Sequence, residues 1–181
     1  MMYISVQRHC SSLDPHFFST FRVGHTDPQY QMQGTSHTAM RATAGKSLES
    51  IEFLDHPADI QMHCTASSLP ELYEVAIKGM MSCSVRISAT DRRLGRVELS
   101  ETSDEMNMVG LLTHFMDLMY GEGLVVTEAA VLLRNGLLVC DYAVTSGSRC
   151  QSLCEIKAVT LCGLRVFEED GIFHLYCIFD V

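Results

Sequence analysis

The sequence predicts an α+β domain: a two-layer sandwich of two helices packed on a mixed, largely antiparallel sheet. Three observations predict it. Two amphipathic helix patterns, each preceded by a capping signal, stand between strand-like stretches. Two turn pairs, Asn135-Gly136 and Asp170-Gly171, divide apolar runs in the C-terminal third. The resulting order is strands, helix, strand, helix, strands, which favours helices gathered on one face of a sheet. A length of 181 residues suits one such domain with a tail.

Each element follows from local chemistry. SIEFLDHPADIQMHC reads as two short strands around a turn, because Ile60, Met62 and Cys64 alternate with Gln61 and His63. SSLPELYEVAIKGMMSCSV reads as a helix. Ser68 and Glu71 fit a capping box, Pro70 is tolerated in the first turn, and Leu69, Leu72, Val75, Ala76 and Met80 recur at helical spacing. RVELSE is a short strand. Thr102 with Glu105 marks a second capping box, and Met108, Leu111, Leu112, Phe115, Leu118 and Met119 form one apolar face ending near Gly121 or Gly123. That Met-rich stripe has the spacing of a buried helical face, so core packing is expected over a binding groove. AAVLLR and LLVCDYAV flank the first turn pair as a hairpin. EIKAVTL and GLRVFEED lead to the second pair, and IFHLYCIFDV follows it.

Composition narrows function. Apolar residues make up 47% and charged residues 19%, a globular balance with ample material to bury. No run approaches the roughly 18 apolar residues of a membrane span, so no integral membrane protein is expected. The net charge of −9 makes direct grip on a phosphate backbone a poor expectation, and a basic protein surface or a metal ion a better one. Charge is uneven. Residues 1–48 carry four basic and two acidic residues and four of the eight His, and show no sustained periodicity. They read as a flexible extension, with a mitochondrial-type leader as the alternative, against a domain over 49–181 with a charge of −11. Eight cysteines, without a secretory signal pattern, read as free thiols in a reducing compartment, cytoplasm or nucleus. Zinc is the sharper alternative, but Cys150 and Cys154 have three residues between them and no matching second pair.

Two features could carry chemistry. One is Asp55-His56-Pro57-Ala58-Asp59 between the first two strands; the other is Asp180-Val181, where a side-chain carboxylate sits beside a terminal one. Acids held together by a sheet are hard oxygen donors suited to Ca²⁺ or Mg²⁺, and a cation would relieve their repulsion. The plainer readings are an Asp capping its own turn and a terminal Asp in solvent. Lys157 is by default a solvated strand lysine, or else a contact for a phosphate or a carboxylate.

EFLDHPADIQMHC, SLPELYEVAIKGMM, IKAVTLCGLRV and the closing FDV together resemble the archease family, over about residues 50–181. That resemblance implies a protein cofactor of RtcB-type RNA ligases and not an enzyme in its own right. Such ligases join RNA ends in tRNA splicing after guanylylating their own histidine with GTP and Mn²⁺. The cofactor promotes guanylylation and multiple turnover, and meets RNA only through the ligase. The resemblance places a divalent-cation site, generally Ca²⁺ with Mg²⁺ or Mn²⁺ as alternatives, on Asp59, Asp180 and Val181. It places ligase activation on Lys157, and support on Asp55 and His56. Pro57 departs from the family's usual Thr, and Trp, frequent in relatives, is absent. The rival expectations are a stand-alone metal-dependent hydrolase and a noncatalytic chaperone or interaction module.

Overall fold

The computed structural model describes residues 48–88, 91–100 and 102–181. The extension expected over 1–48 therefore lies, Leu48 apart, outside the described residues. Chain order is β1 (Ser50–His56), β2 (Asp59–Ala66), α1 (Leu69–Ser84), β3 (Val85–Arg86), β4 (Arg93–Leu99), α2 (Asp104–Gly121), β5 (Leu124–Arg134), β6 (Leu137–Ser146), a 3-10 turn (Gly147–Arg149), β7 (Gln151–Ser152), β8 (Ala158–Glu169) and β9 (Ile172–Asp180). The expected α+β architecture is present. Its strands form a four-stranded sheet ordered β1-β2-β9-β8, a three-stranded sheet ordered β4-β6-β5 and a short β3-β7 ladder. Every described ladder is antiparallel.

Both helices start where side-chain oxygens are available, with shifts from the expected partners. Ser68 caps α1 by accepting the Glu71 N–H, and the Glu71 carboxylate reaches back to the Ser68 backbone and also to the Ser67 N–H at 2.9 Å and the Ser67 hydroxyl. At α2 the cap is Ser103 instead of Thr102. Its extended backbone lets Oγ accept the Met106 N–H at 3.3 Å. Asp104 and Glu105 then occupy the first turn, where the helix dipole favours negative charge. The stretches EIKAVTL and GLRVFEED belong to one strand, β8, whose pairing with β9 breaks register between Thr160 and Arg165. The strand begins at Ala158, leaving Glu155–Lys157 before it.

Helix α1 packs on β2 and β5, and α2 on β8 and β5. The Met-rich stripe is core, as its spacing predicts: Met108, Leu111, Leu112 and Phe115 are fully buried. On the four-stranded sheet, Met62, Cys64 and Ala66 of β2 and Leu175, Cys177 and Phe179 of β9 face the helices. Their neighbours Asp59, His63, Tyr176 and Asp180 take the outer face by strand alternation. The seven described cysteines are free, as expected. Burial pushes the Cys64 and Cys177 thiols up to about 12, so they act as small apolar groups.

Two contacts yield tests. A Cβ at Gly95 would overlap the ring of Tyr142, its cross-strand partner. That ring also packs edge-on against Phe115 at 5.2 Å between centroids, so it cannot retreat. Gly95→Ala is therefore expected to destabilise the domain by about 1–3 kcal/mol, read as a lower urea midpoint at unchanged slope. Glu74 on α1 accepts the Val131 N–H at 2.7 Å and ties the helix to edge strand β5. Burial raises its carboxyl above the ordinary value of 4.5. The folded state then binds this proton more tightly than the unfolded chain does. The contribution is full below pH 4.5 and lost as pH rises through the raised value. Glu74→Gln, which keeps an acceptor oxygen, should remove that part of the pH slope in denaturant titrations from pH 4 to pH 7.

Candidate functional site

The end of the four-stranded sheet gathers most of the expected residues by register. The hairpin between β1 and β2 turns on Pro57 and Ala58. Proline fixes φ near −65°, and Ala58 has φ 66°, the combination of a type II turn in which glycine is the usual second residue. This tight turn pairs His56 with Asp59. Asp59 pairs in turn with Asp180 of β9, and Asp180 with Ala158 of β8. One row of the sheet thus reads His56, Asp59, Asp180, Ala158.

The two aspartates are direct cross-strand partners, a placement in which like charges repel. His56 Nδ1 lies 3.5 Å from Asp59 Oδ2. That nitrogen is buried and has no hydrogen-bond partner among the described residues. Asp55 stands in the next row, paired with Ile60, and is not brought into the acidic row.

Lys157 joins the row from outside β8. Its backbone N–H donates to the Asp180 carbonyl at 2.8 Å, and its Nζ donates to the main-chain oxygen of Val181 at 2.8 Å. The preceding residue, Ile156, is 1% exposed and acts as an anchor. Its N–H donates to the Tyr120 hydroxyl at 2.8 Å. Burial raises the Tyr120 phenol above its usual value, keeping the hydroxyl protonated. Tyr120, Met116, Asp117, Gly121 and Glu122 from the end of α2 form with Lys157 an open recess of about 500 Å³. Sequence reasoning missed Tyr120; its place four residues after Met116, at the edge of the apolar stripe, was the available signal.

Chemically, two opposed carboxylates and a main-chain oxygen are hard, negatively charged donors, and Lys157 is the counter-charge beside them. No group of three or more His, Cys, Asp or Glu side chains is placed to hold a metal among the described residues. A cation at this row would therefore depend on the Val181 main chain or on water to complete its ligands.

Fold and register define a class: a small α+β domain whose last strand runs inside a four-stranded sheet and carries an acidic residue to its end. The family model described as "Archease protein family (MTH1598/TM1083)" matches residues 51–181, and the chain belongs to that family. It is 33% identical over 79 residues to the protein archease of Danio rerio, which covers 44% of this chain and 47% of that protein. The match thus spans about half the length of this curated relative. The solution structure of Methanobacterium thermoautotrophicum protein 1598 is similar at a TM-score of 0.59 and 20% identity, covering 72% of this chain and 98% of that one. The crystal structure of an archease, "possible chaperone", from Thermotoga maritima has a TM-score of 0.52 and 17% identity, covering 80% of this chain and 100% of that one. At these identities the two structures establish the fold. No helix among the described residues is long and apolar enough to cross a membrane.

The turn supplies a test of local strain. A non-glycine residue at positive φ costs about 1–2 kcal/mol, part of which glycine regains at the expense of unfolded-state entropy. Ala58→Gly is expected to raise stability by about 1 kcal/mol, measured by urea unfolding.

Proposed function

We propose that this chain is a protein cofactor of an RtcB-type RNA ligase. It raises ligase guanylylation by GTP and supports repeated turnover in tRNA splicing or RNA repair, without joining RNA itself. The observation that carries this reading is the direct pairing of Asp59 with Asp180, with Lys157 held on Val181, in a chain of the archease family. The charge of −11 over residues 49–181 agrees with leaving the RNA to the ligase.

Asp59, Asp180 and the main chain of Val181 would hold a divalent cation, Ca²⁺ first and Mg²⁺ or Mn²⁺ as alternatives. The fit rests on donor chemistry: all are oxygens, as these cations require, and two of them face each other as like charges. A bound cation would supply charge neutralisation at this row. The chain's own residues do the rest. Tyr120 and Ile156 fix the start of β8, and so the position of Lys157 beside the row. His56 borders the row through Asp59. On docking at the mouth of the ligase site, Lys157 can leave the Val181 oxygen and meet a phosphate or carboxylate there, acting by positioning and charge.

A chaperone reading is the second one, favoured by the words "possible chaperone" for the Thermotoga maritima relative. It assigns no role to the acidic row. Guanylylation of a cognate ligase with GTP and Mn²⁺ separates the two readings. Stimulation by the unaltered chain should fall by roughly tenfold or more with Asp59→Ala, Asp180→Ala or Lys157→Ala, and with residues added after Val181, at unchanged circular dichroism. Full stimulation by both aspartate variants would refute the site assignment and favour the chaperone reading.

A further inference from the structure

The outer face of the four-stranded sheet carries a second constellation, two rows of side chains away from the acidic end. Glu52, His63, Tyr176 and Arg165 are paired in register across β1, β2, β9 and β8. The next row brings Thr65, His174 and Phe167 into line. The rings stand nearly parallel: His63 on Tyr176 at 4.2 Å and 8°, and His174 on Phe167 at 5.0 Å and 7°. The Arg165 guanidinium covers Tyr176 at 4.9 Å. The stacked neighbours set the two imidazoles side by side. Held this way, His63 Nε2 lies 3.1 Å from His174 Nδ1. The other nitrogen of His63, Nδ1, lies 3.8 Å from Glu52 Oε2.

We propose that His63 and His174 are the two protein ligands of a divalent transition-metal ion of the zinc type, with Glu52 orienting His63 from behind. Tetrahedral zinc with Zn–N bonds of about 2.0–2.1 Å sets two ligand nitrogens about 3.3 Å apart. At 3.1 Å the two nitrogens already stand near that separation, and the rings turn about their side-chain torsions so that lone pairs now directed at each other converge on the ion. A carboxylate on the far nitrogen is the usual companion of a ligating histidine, since it fixes the tautomer that presents the other lone pair. Proton accounting closes without release. The hydrogen bond between the rings needs one proton on the shared side, on His63 Nε2 or on His174 Nδ1. For the metal to take its place that ring changes to its other neutral tautomer, so that His63 carries its proton on Nδ1 toward Glu52 and His174 on Nε2, and the number of bound protons is unchanged. Zinc binds the neutral imidazoles, so binding weakens as pH falls. His63 is 15% exposed and Glu52 63% exposed, so the site is open on one side and water fills the remaining positions. Two imidazoles select zinc, copper or nickel over Ca²⁺, the reverse of the all-oxygen acidic row.

The test uses the full chain with ZnCl2, followed by thermal unfolding and calorimetric titration. Zinc is expected to raise Tm, because it binds the native pair alone. His63→Gln and His174→Gln should each remove that rise and weaken zinc binding by about 10- to 100-fold, and Glu52→Gln by about tenfold. Cobalt substituted for zinc should give a visible spectrum without a sulfur charge-transfer band. If a histidine variant fails to fold, zinc-induced shifts of the His63 and His174 ring resonances in the unaltered chain decide the matter. The proposal is overturned by the absence of a zinc response. It is equally overturned by a response that both histidine variants retain, or by one lost instead in Cys162→Ser, which would place the metal on the exposed thiol.

Discussion

The structure depends on one strand pairing: β9 lies between β2 and β8, hydrogen-bonded on both sides. Its alternate residues Leu175, Cys177 and Phe179 are fully buried under the helices. Burying a large apolar side chain stabilises by about 1.5–3 kcal/mol. The like-charge pairing of Asp59 with Asp180 costs at most about 1 kcal/mol. Core burial therefore sets the register, and the acidic row is carried along. A slip of one residue would turn Phe179 outward and Asp180 inward. Both changes are unfavourable, so the opposition of the aspartates is fixed by residues that take no part in it.

The same strict alternation makes the outer face a second surface with its own order. Residues spaced by two along β2 and β9 place Asp59, His63, Tyr176 and Asp180 on one side. Their partners on β1 and β8 complete rows that cross the sheet. The rows differ in chemistry. The first is oxygen-rich and acidic, while the third and fourth hold imidazoles, aromatic rings and a guanidinium. Hard and borderline donors are thereby separated along the strands, although all sit on one rigid sheet.

Much of this was legible in the sequence because it is local. The helices announced themselves through Ser68 and the spacing of Leu72, Val75 and Met80. The hairpins announced themselves through Asn135-Gly136 and Asp170-Gly171, whose residues all adopt positive φ. The choice of Ser103 over Thr102 as cap was not legible, since either hydroxyl lies within reach of the helix start. The unity of β8 was hidden because the irregularity between Thr160 and Arg165 breaks its alternation in the middle. The residue types of the acidic row could be named from sequence, but their apposition could not. Asp59 and Asp180 are separated by most of the domain, and only the β2–β9 register brings them face to face. Asp55, equally acidic and only four residues from Asp59, falls in another row for the same reason.

Lys157 illustrates how a functional position is built from non-functional parts. It precedes β8, where a chain segment would ordinarily be loose. Three contacts remove that freedom: Ile156 is buried, its N–H is held by the Tyr120 hydroxyl, and the Lys157 N–H continues the ladder to Asp180. The backbone is thus fixed on the helix side and the sheet side together. Only the side chain retains a choice, between the Val181 oxygen and whatever approaches the open recess at the end of α2. A cation on a rigid stem beside two paired carboxylates is an arrangement suited to exchanging partners. Its hydrogen bond to the Val181 oxygen is exposed and so worth little on its own, and a better-placed anion on a docking protein can replace it at small cost.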